Sequence, residues 1–183
     1  LLLLGDPQQL PQVSQGTHPE PVDTSALGWV MDGSDVIPPE FGYFLAQTWR
    51  MHPCVAEPVS VLSYGGELAA HPSTAVRTLE GIEPGVIPVP VRHHGNATQS
   101  SEEADAVVEI VRDLLGRSWR GIRVDDAGVT TRDAARPLAE GDVIIVTPYN
   151  AQQVAVEEAL AAAGCTGIRV GTVDKFQGQE AAV

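Results

Sequence analysis

Residues 142–172 constrain the fold more than any other stretch of this chain. Val143-Ile144-Ile145-Val146 is a short apolar run closed by Thr147 and Pro148, the pattern of a buried strand. Asn150 stands where a side-chain oxygen caps a helix of about 13 residues, and Gly164 stands where that helix should stop. A second strand is expected over 168–172. Strand, helix and strand in this order form a parallel unit with a right-handed crossover, so loops 147–150 and 172–180 should emerge at one sheet edge. That edge is where open α/β sheets bind ligands. The chain therefore reads as α/β, with a parallel sheet carrying helices on both faces.

The remaining segments extend this reading. Residues 1–4 are four leucines closed by Gly5-Asp6-Pro7, as expected for a strand buried on both faces, with 5–11 lying off its carboxyl end. Residues 15–40 are rich in Gly, Pro, Ser and Asp, with one short helix over 24–31, and read as a connector. A short strand is expected over 44–49 and a helix over 53–64, started by Pro53, kinked or delayed by Pro58 and ended by Gly65-Gly66. A strand over 86–91 must lie at an edge or be irregular, because Pro88 and Pro90 cannot donate. The clearest helix is 101–115: Ala104, Val107, Val108, Val111, Leu114 and Leu115 recur at helical spacing, and Ser100 with Glu103 forms a capping box. Runs 122–125 and 129–132 flank an Asp-Ala-Gly turn and should pair as a hairpin within a surface insertion at 117–140.

Composition narrows the function. The net charge is −13, so bulk electrostatics do not favour nucleic acid, although a local groove could still bind it. No apolar run approaches the roughly 20 residues of a membrane span, and no basic flank makes 1–4 a signal peptide. Without an initiating Met, and with apolar runs at both ends, the chain reads as a fragment. Cys54 and Cys165 are far apart, with no His or Cys at metal spacing, which argues against a disulfide scaffold and a zinc site and for an intracellular, cytoplasmic source. Lys175 is the only lysine and follows no glycine-rich turn, so a Walker A loop is impossible here. A chain like this supplies only part of any nucleoside triphosphate site and should not hydrolyse ATP alone.

Three stretches carry chemistry: Gly5-Asp6-Pro7-Gln8-Gln9-Leu10-Pro11, Gln47-Thr48-Trp49-Arg50-Met51-His52-Pro53 and Gly171-Thr172-Val173-Asp174-Lys175-Phe176-Gln177-Gly178-Gln179-Glu180. Trp49 offers a π-face for a base, and Arg50 a planar fork suited to phosphate oxygens. The structural alternative is a core tryptophan beside a solvated strand end. Likewise, Gln9 could simply satisfy loop backbone, and Thr147 and Thr172 could simply end strands. His52 reads as a helix cap, His93 and His94 as solvated, and Tyr64 and Trp119 as packing.

Together these stretches resemble superfamily 1 helicases, in the branch that includes the nuclease-helicases of Okazaki processing and the nonsense-mediated-decay helicases. Residues 5–11 resemble motif III, 48–53 the Q-Y-R-M-H-P motif IV and 172–180 motif V, while Thr147-Pro148-Tyr149-Asn150-Ala151-Gln152 matches the family's T-P-Y-x-x-Q loop. The Thr-Trp variant of motif IV is similar to bacterial members with a RecB-like nuclease region upstream. The resemblance implies the RecA-like P-loop NTPase fold, two such domains with ATP between them. Residues 1–16 would end the first, 17–44 connect, and 45–183 form the second, truncated before motif VI. Walker A, Walker B and the Mg²⁺ ligands would precede Leu1.

By the same resemblance Gln9 is the γ-phosphate sensor and Arg50 the arginine finger that neutralises charge on the transferring phosphoryl group. Trp49 stacks on the adenine, Gly178 brings backbone to the γ-phosphate and Glu180 binds the ribose. Thr147, Tyr149, Gln152 and Thr172 line the groove for a single nucleic-acid strand. Thr48 replaces the usual Gln, so that amide's contacts are not carried over. The implied activity is an ATP-dependent helicase or translocase moving 5′ to 3′ on DNA. A non-catalytic RecA-like module that binds a strand or a protein is the rival.

Overall fold

The computed structural model describes residues 1–9, 16–19, 21–125 and 127–183, which form two compact units, Leu1–Ala75 and Val76–Val183. Leu10 and Pro11 of the first loop and Asp126 of the hairpin turn lie outside the described residues.

In the first unit, α1 (Ala26–Met31) starts where Ser25 Oγ accepts the Gly28 N–H at 3.0 Å. Strands β1 (Gln47–Thr48) and β2 (Ala69–Ala70) are parallel. Their ladder is extended by Ala69 N donating to Ala46 O and His71 N to Thr48 O, each at 2.8 Å. Helix α2 (Pro53–Ser63) connects them. His52 Nδ1 accepts the Cys54 N–H at 3.2 Å, the cap the sequence predicts, and Pro53 occupies the first helical position, where no donor is needed. Pro58 removes one internal hydrogen bond without ending the helix. Gly65 (φ 58°) and Gly66 (φ 84°) then turn the chain out through the left-handed region. Residues 72–76 form a 3₁₀ turn.

The second unit contains, in order, β3 (Thr78–Leu79), α3 (Ser101–Leu114), β4 (Ser118–Arg120), β5 (Ile122–Val124), β6 (Thr130–Arg132) and β7 (Arg136–Pro137). A 3₁₀ turn (Glu140–Asp142), β8 (Ile144–Thr147), α4 (Asn150–Ala162), β9 (Arg169–Thr172) and the single turn α5 (Val173–Phe176) complete it. Ser100 Oγ accepts the Glu103 N–H at 3.2 Å, and Gly116 at φ 82° follows the helix it starts. The apolar stripe of α3, Ala104, Val108, Val111 and Leu114, packs in one core with Val156 and Leu160 of α4 and with Val143, Ile168 and Val170. Burial of each Val, Leu or Ile side chain among these contributes about 1.5–3 kcal/mol. β8 and β9 are parallel, with Thr147 opposite Thr172. On the other edge of β8, Val183 O accepts the Ile144 N–H at 2.9 Å. β5 and β6 form the expected antiparallel hairpin, and Asp125 Oδ1 accepts both Ala127 N at 3.0 Å and Val129 N at 2.8 Å across its turn.

Several expectations are corrected. Residues 1–4 form no strand and are exposed, Leu1 and Leu4 at 117% and 86%, because an apolar run becomes a strand only with a ladder partner. Residues 86–91 are likewise outside any ladder, where Pro88 and Pro90 supply no donors. Asn150 is the first helical residue; Tyr149 holds the cap position without a side-chain bond. Among the described residues the strands divide into four small sheets, of which β1–β2 and β8–β9 are parallel, and no single large parallel sheet is present. The class is mixed α/β. Trp119 of β4 pairs with Leu79 on one side and Arg136 on the other, a three-stranded antiparallel sheet that local patterning does not announce.

Candidate functional site

Gln9, Trp49 and Arg50 belong to the first unit, and Thr147, Tyr149, Gln152, Thr172, Gly178 and Glu180 to the second. In the first, Asp6 organises the loop that carries Gln9. Its Oδ1 accepts the Gln8 N–H at 3.1 Å, and its Oδ2 accepts Gln9 Nε2 at 3.1 Å and Tyr64 Oη at 2.7 Å. Burial, reinforced by the hydrogen bond and charge of Asp6, pushes the Tyr64 hydroxyl up to about 12. The Tyr64 ring also leans on Phe44, with centroids 5.9 Å apart. Tyr64 thus does more than pack: it ties the end of α2 to the Gln9 loop.

Trp49 and Arg50 leave the end of β1 together, with Thr48 Oγ1 accepting the Arg50 N–H at 3.3 Å. Arg50 is exposed and Trp49 half-buried. The indole lies on the imidazole of His71, ring centroids 3.4 Å apart and planes 14° from parallel.

In the second unit the paired ends of β8 and β9 bring loops 147–150 and 172–180 to one edge, as the strand order predicts. Tyr149 stands out from that edge at 51% exposure, and Thr172 is half-buried at the start of α5. Thr147 turns inward instead: at 3% exposure its hydroxyl donates to Tyr149 O at 3.3 Å and lies 3.5 Å from Gly171 O. Gln152, 5% exposed, is also internal. Its Oε1 accepts Ser100 N at 2.6 Å and its Nε2 donates to Ser100 O at 3.2 Å, so its amide fixes the start of α3. In this conformation both side chains are buried in the fold and do not stand out from the loop edge.

Gly178 holds φ 78° with open space where a Cβ would point, the opening that close approach of a ligand to backbone requires. Glu180 is exposed, and its charge acts on Arg77, whose guanidinium burial pushes down and Glu180 pulls partly back up. Gln179, between them, braces the loop from inside. Its Nε2 donates to Lys175 O at 2.8 Å and its Oε1 accepts Arg169 Nη1 at 2.7 Å. The lone lysine reaches back along the same loop, Nζ donating to Val170 O at 2.7 Å. Its stem crosses Gly171, where any Cβ would overlap Lys175 Cδ. Sequence reasoning missed Asp6, His71, Arg169 and Gln179, of which Asp6 and Gln179, inside the motif III and motif V stretches, carried a local signal. Among the described residues no group of three or more His, Cys, Asp or Glu could hold a metal, and no helix is long and apolar enough to cross a membrane.

Comparison with known proteins adds two findings. Residues 30–183 match the AAA domain family. The chain is also similar to the mouse (Mus musculus) 3'-5' exoribonuclease HELZ2, 26% identical over 197 residues that take in 98% of this chain and 6% of that protein.

Proposed function

This chain belongs to the AAA domain family, and we propose that it is part of an ATP-dependent helicase or translocase acting on a single nucleic-acid strand. The observation that carries the reading is loop 172–180: a glycine with open space at φ 78° beside an exposed carboxylate, at the carboxyl edge of a parallel strand pair. Backbone N–H groups there suit phosphate oxygens, and a carboxylate suits ribose hydroxyls. Trp49 stacks on the base, Gln9 senses the γ-phosphate, and Arg50 neutralises charge as the phosphoryl group transfers. The Mg²⁺ and phosphate-cradling lysine of such a reaction do not fit any described cluster or Lys175, and this chain's part is the loops that meet the nucleotide and the strand. Strand contact falls to Tyr149 and Thr172, with Thr147 and Gln152 shaping the loops behind them. The finer reading, 5′ to 3′ movement on DNA, rests on the resemblance of the motifs.

Fluorescence anisotropy with single-stranded DNA and RNA of several sequences tests the strand-binding half of this reading. Binding should be weak, fall linearly with log salt, ignore base sequence and weaken further in Tyr149→Ala. Sharp preference for one sequence, or affinity indifferent to salt, would instead identify a non-catalytic recognition module.

A further inference from the structure

The Trp49–His71 stack is unusual in being nearly eclipsed, with centroids 3.4 Å apart and planes 14° from parallel. Aromatic pairs left to themselves settle into offset or edge-to-face arrangements at roughly 4.5–7 Å. Backbone must therefore impose this one. The β1–β2 ladder continues through His71 N donating to Thr48 O at 2.8 Å, which sets His71 beside the residue preceding Trp49. Thr74, completely buried, grips His71 O with its N–H and its hydroxyl, each at 2.9 Å. The imidazole itself is oriented by Ser73: Nδ1 accepts the Ser73 N–H at 3.3 Å and lies 2.6 Å from Ser73 Oγ, which donates to it. That leaves the ring proton on Nε2.

We propose that His71 is a positioning residue for nucleotide binding, holding the indole of Trp49 in the plane in which it meets the base. The inference rests on the reading of Trp49 as the base-stacking residue. Lying flat on the indole, the imidazole sets the tilt of the ring against which a base stacks. Because His71 immobilises the indole before the nucleotide arrives, binding does not bear the cost of ordering it. Without His71 that cost returns, weakening base binding about two- to tenfold.

Steady-state, strand-stimulated hydrolysis of ATP and of UTP by the complete protein tests this, comparing Trp49→Ala, His71→Ala, His71→Phe and His71→Leu after melting curves establish folding. His71→Ala should raise KM for ATP two- to tenfold with kcat held, and raise KM for UTP less, since a pyrimidine stacks over a smaller area. The preference for ATP then narrows. His71→Phe, which keeps an aromatic layer, should stay near the parent, whereas His71→Leu, which fills space without a π-face, should follow alanine. That last pair decides the matter if His71→Ala does not fold. Equal losses for both nucleotides, or a loss in kcat alone, make His71 a structural spacer and overturn the proposal. A raised KM in Trp49→Ala with a parental KM in His71→Ala overturns the proposal but leaves base stacking intact. A parental KM in Trp49→Ala removes the base-stacking reading and this inference with it.

Discussion

Gln152→Leu separates the role that geometry gives this residue from the role its motif implies. Ser100 is 4% exposed, so water cannot replace the amide oxygen that satisfies its N–H at 2.6 Å, while its carbonyl, which accepts the amide nitrogen at 3.2 Å, keeps the Ala104 N–H of α3, also at 3.2 Å. The N–H left without a partner costs about 1–3 kcal/mol, and the second bond lost by the carbonyl about 0.5–1.5 kcal/mol. Burying leucine in place of the amide returns about 1–2 kcal/mol, leaving a net loss of about 1–2 kcal/mol. With a urea slope of about 1–3 kcal/mol/M, the midpoint of unfolding followed by far-UV circular dichroism should fall by about 0.5–1 M. Gln152→Glu keeps the acceptor but turns a carboxylate oxygen toward Ser100 O, and should cost as much or more. Strand affinity of the folded variants should equal that of the parent. A stability loss under about 0.5 kcal/mol together with weaker strand binding would refute the inward clamp and return Gln152 to the groove.

Two further perturbations test the supports of the site. Gly171→Ala should cost about 1–3 kcal/mol, because its Cβ would overlap Lys175 Cδ and come within 3.1 Å of Phe176 Cε2; an unchanged melting temperature would show that Lys175 moves aside freely. The Arg136 guanidinium, bonded at 2.6 and 2.7 Å, holds the Asp142 carboxyl below its ordinary 3.8, helped by the Ala139 N–H. A depressed carboxyl stabilises the fold above its unfolded value, and this contribution is lost as pH falls through the folded one. Stability measured against pH should therefore drop below about pH 3.8, and Arg136→Ala should flatten that drop; identical profiles would exclude the pair as its source.

What was legible in the sequence was local. The β8–α4–β9 unit, α3 and the β5–β6 hairpin are contiguous runs whose periodicity and glycines state both their class and their ends. That residues 1–4 form no strand was not legible, because apolarity alone does not say whether a neighbouring strand is there to pair with. Nor was the β3–β4–β7 sheet, whose partners Leu79, Trp119 and Arg136 are distant in the chain. Similarly, Tyr64 meets Asp6 across 58 residues, and no local pattern links Trp49 to His71. Thr147 and Gln152 are different, since their inward orientation was written in the spacing. Val143, Ile145 and Thr147 share one face of a strand, and Gln152, Val156 and Leu160 share one stripe of a helix whose other members are core. Reading them only as motif letters overlooked that register.

The central claim, that this chain supplies an arginine to phosphoryl transfer, is tested most directly by the strand-stimulated ATPase of Arg50→Ala in the complete protein. Charge spreads over the γ-phosphoryl oxygens in the transition state, so kcat should fall by about 10³ or more while ATP affinity changes far less. Arg50→Lys should not rescue it, because lysine keeps the charge but loses the planar fork and its reach. Hydrolysis by a folded Arg50→Ala at the parent rate would contradict the account and remove Arg50 from phosphoryl transfer.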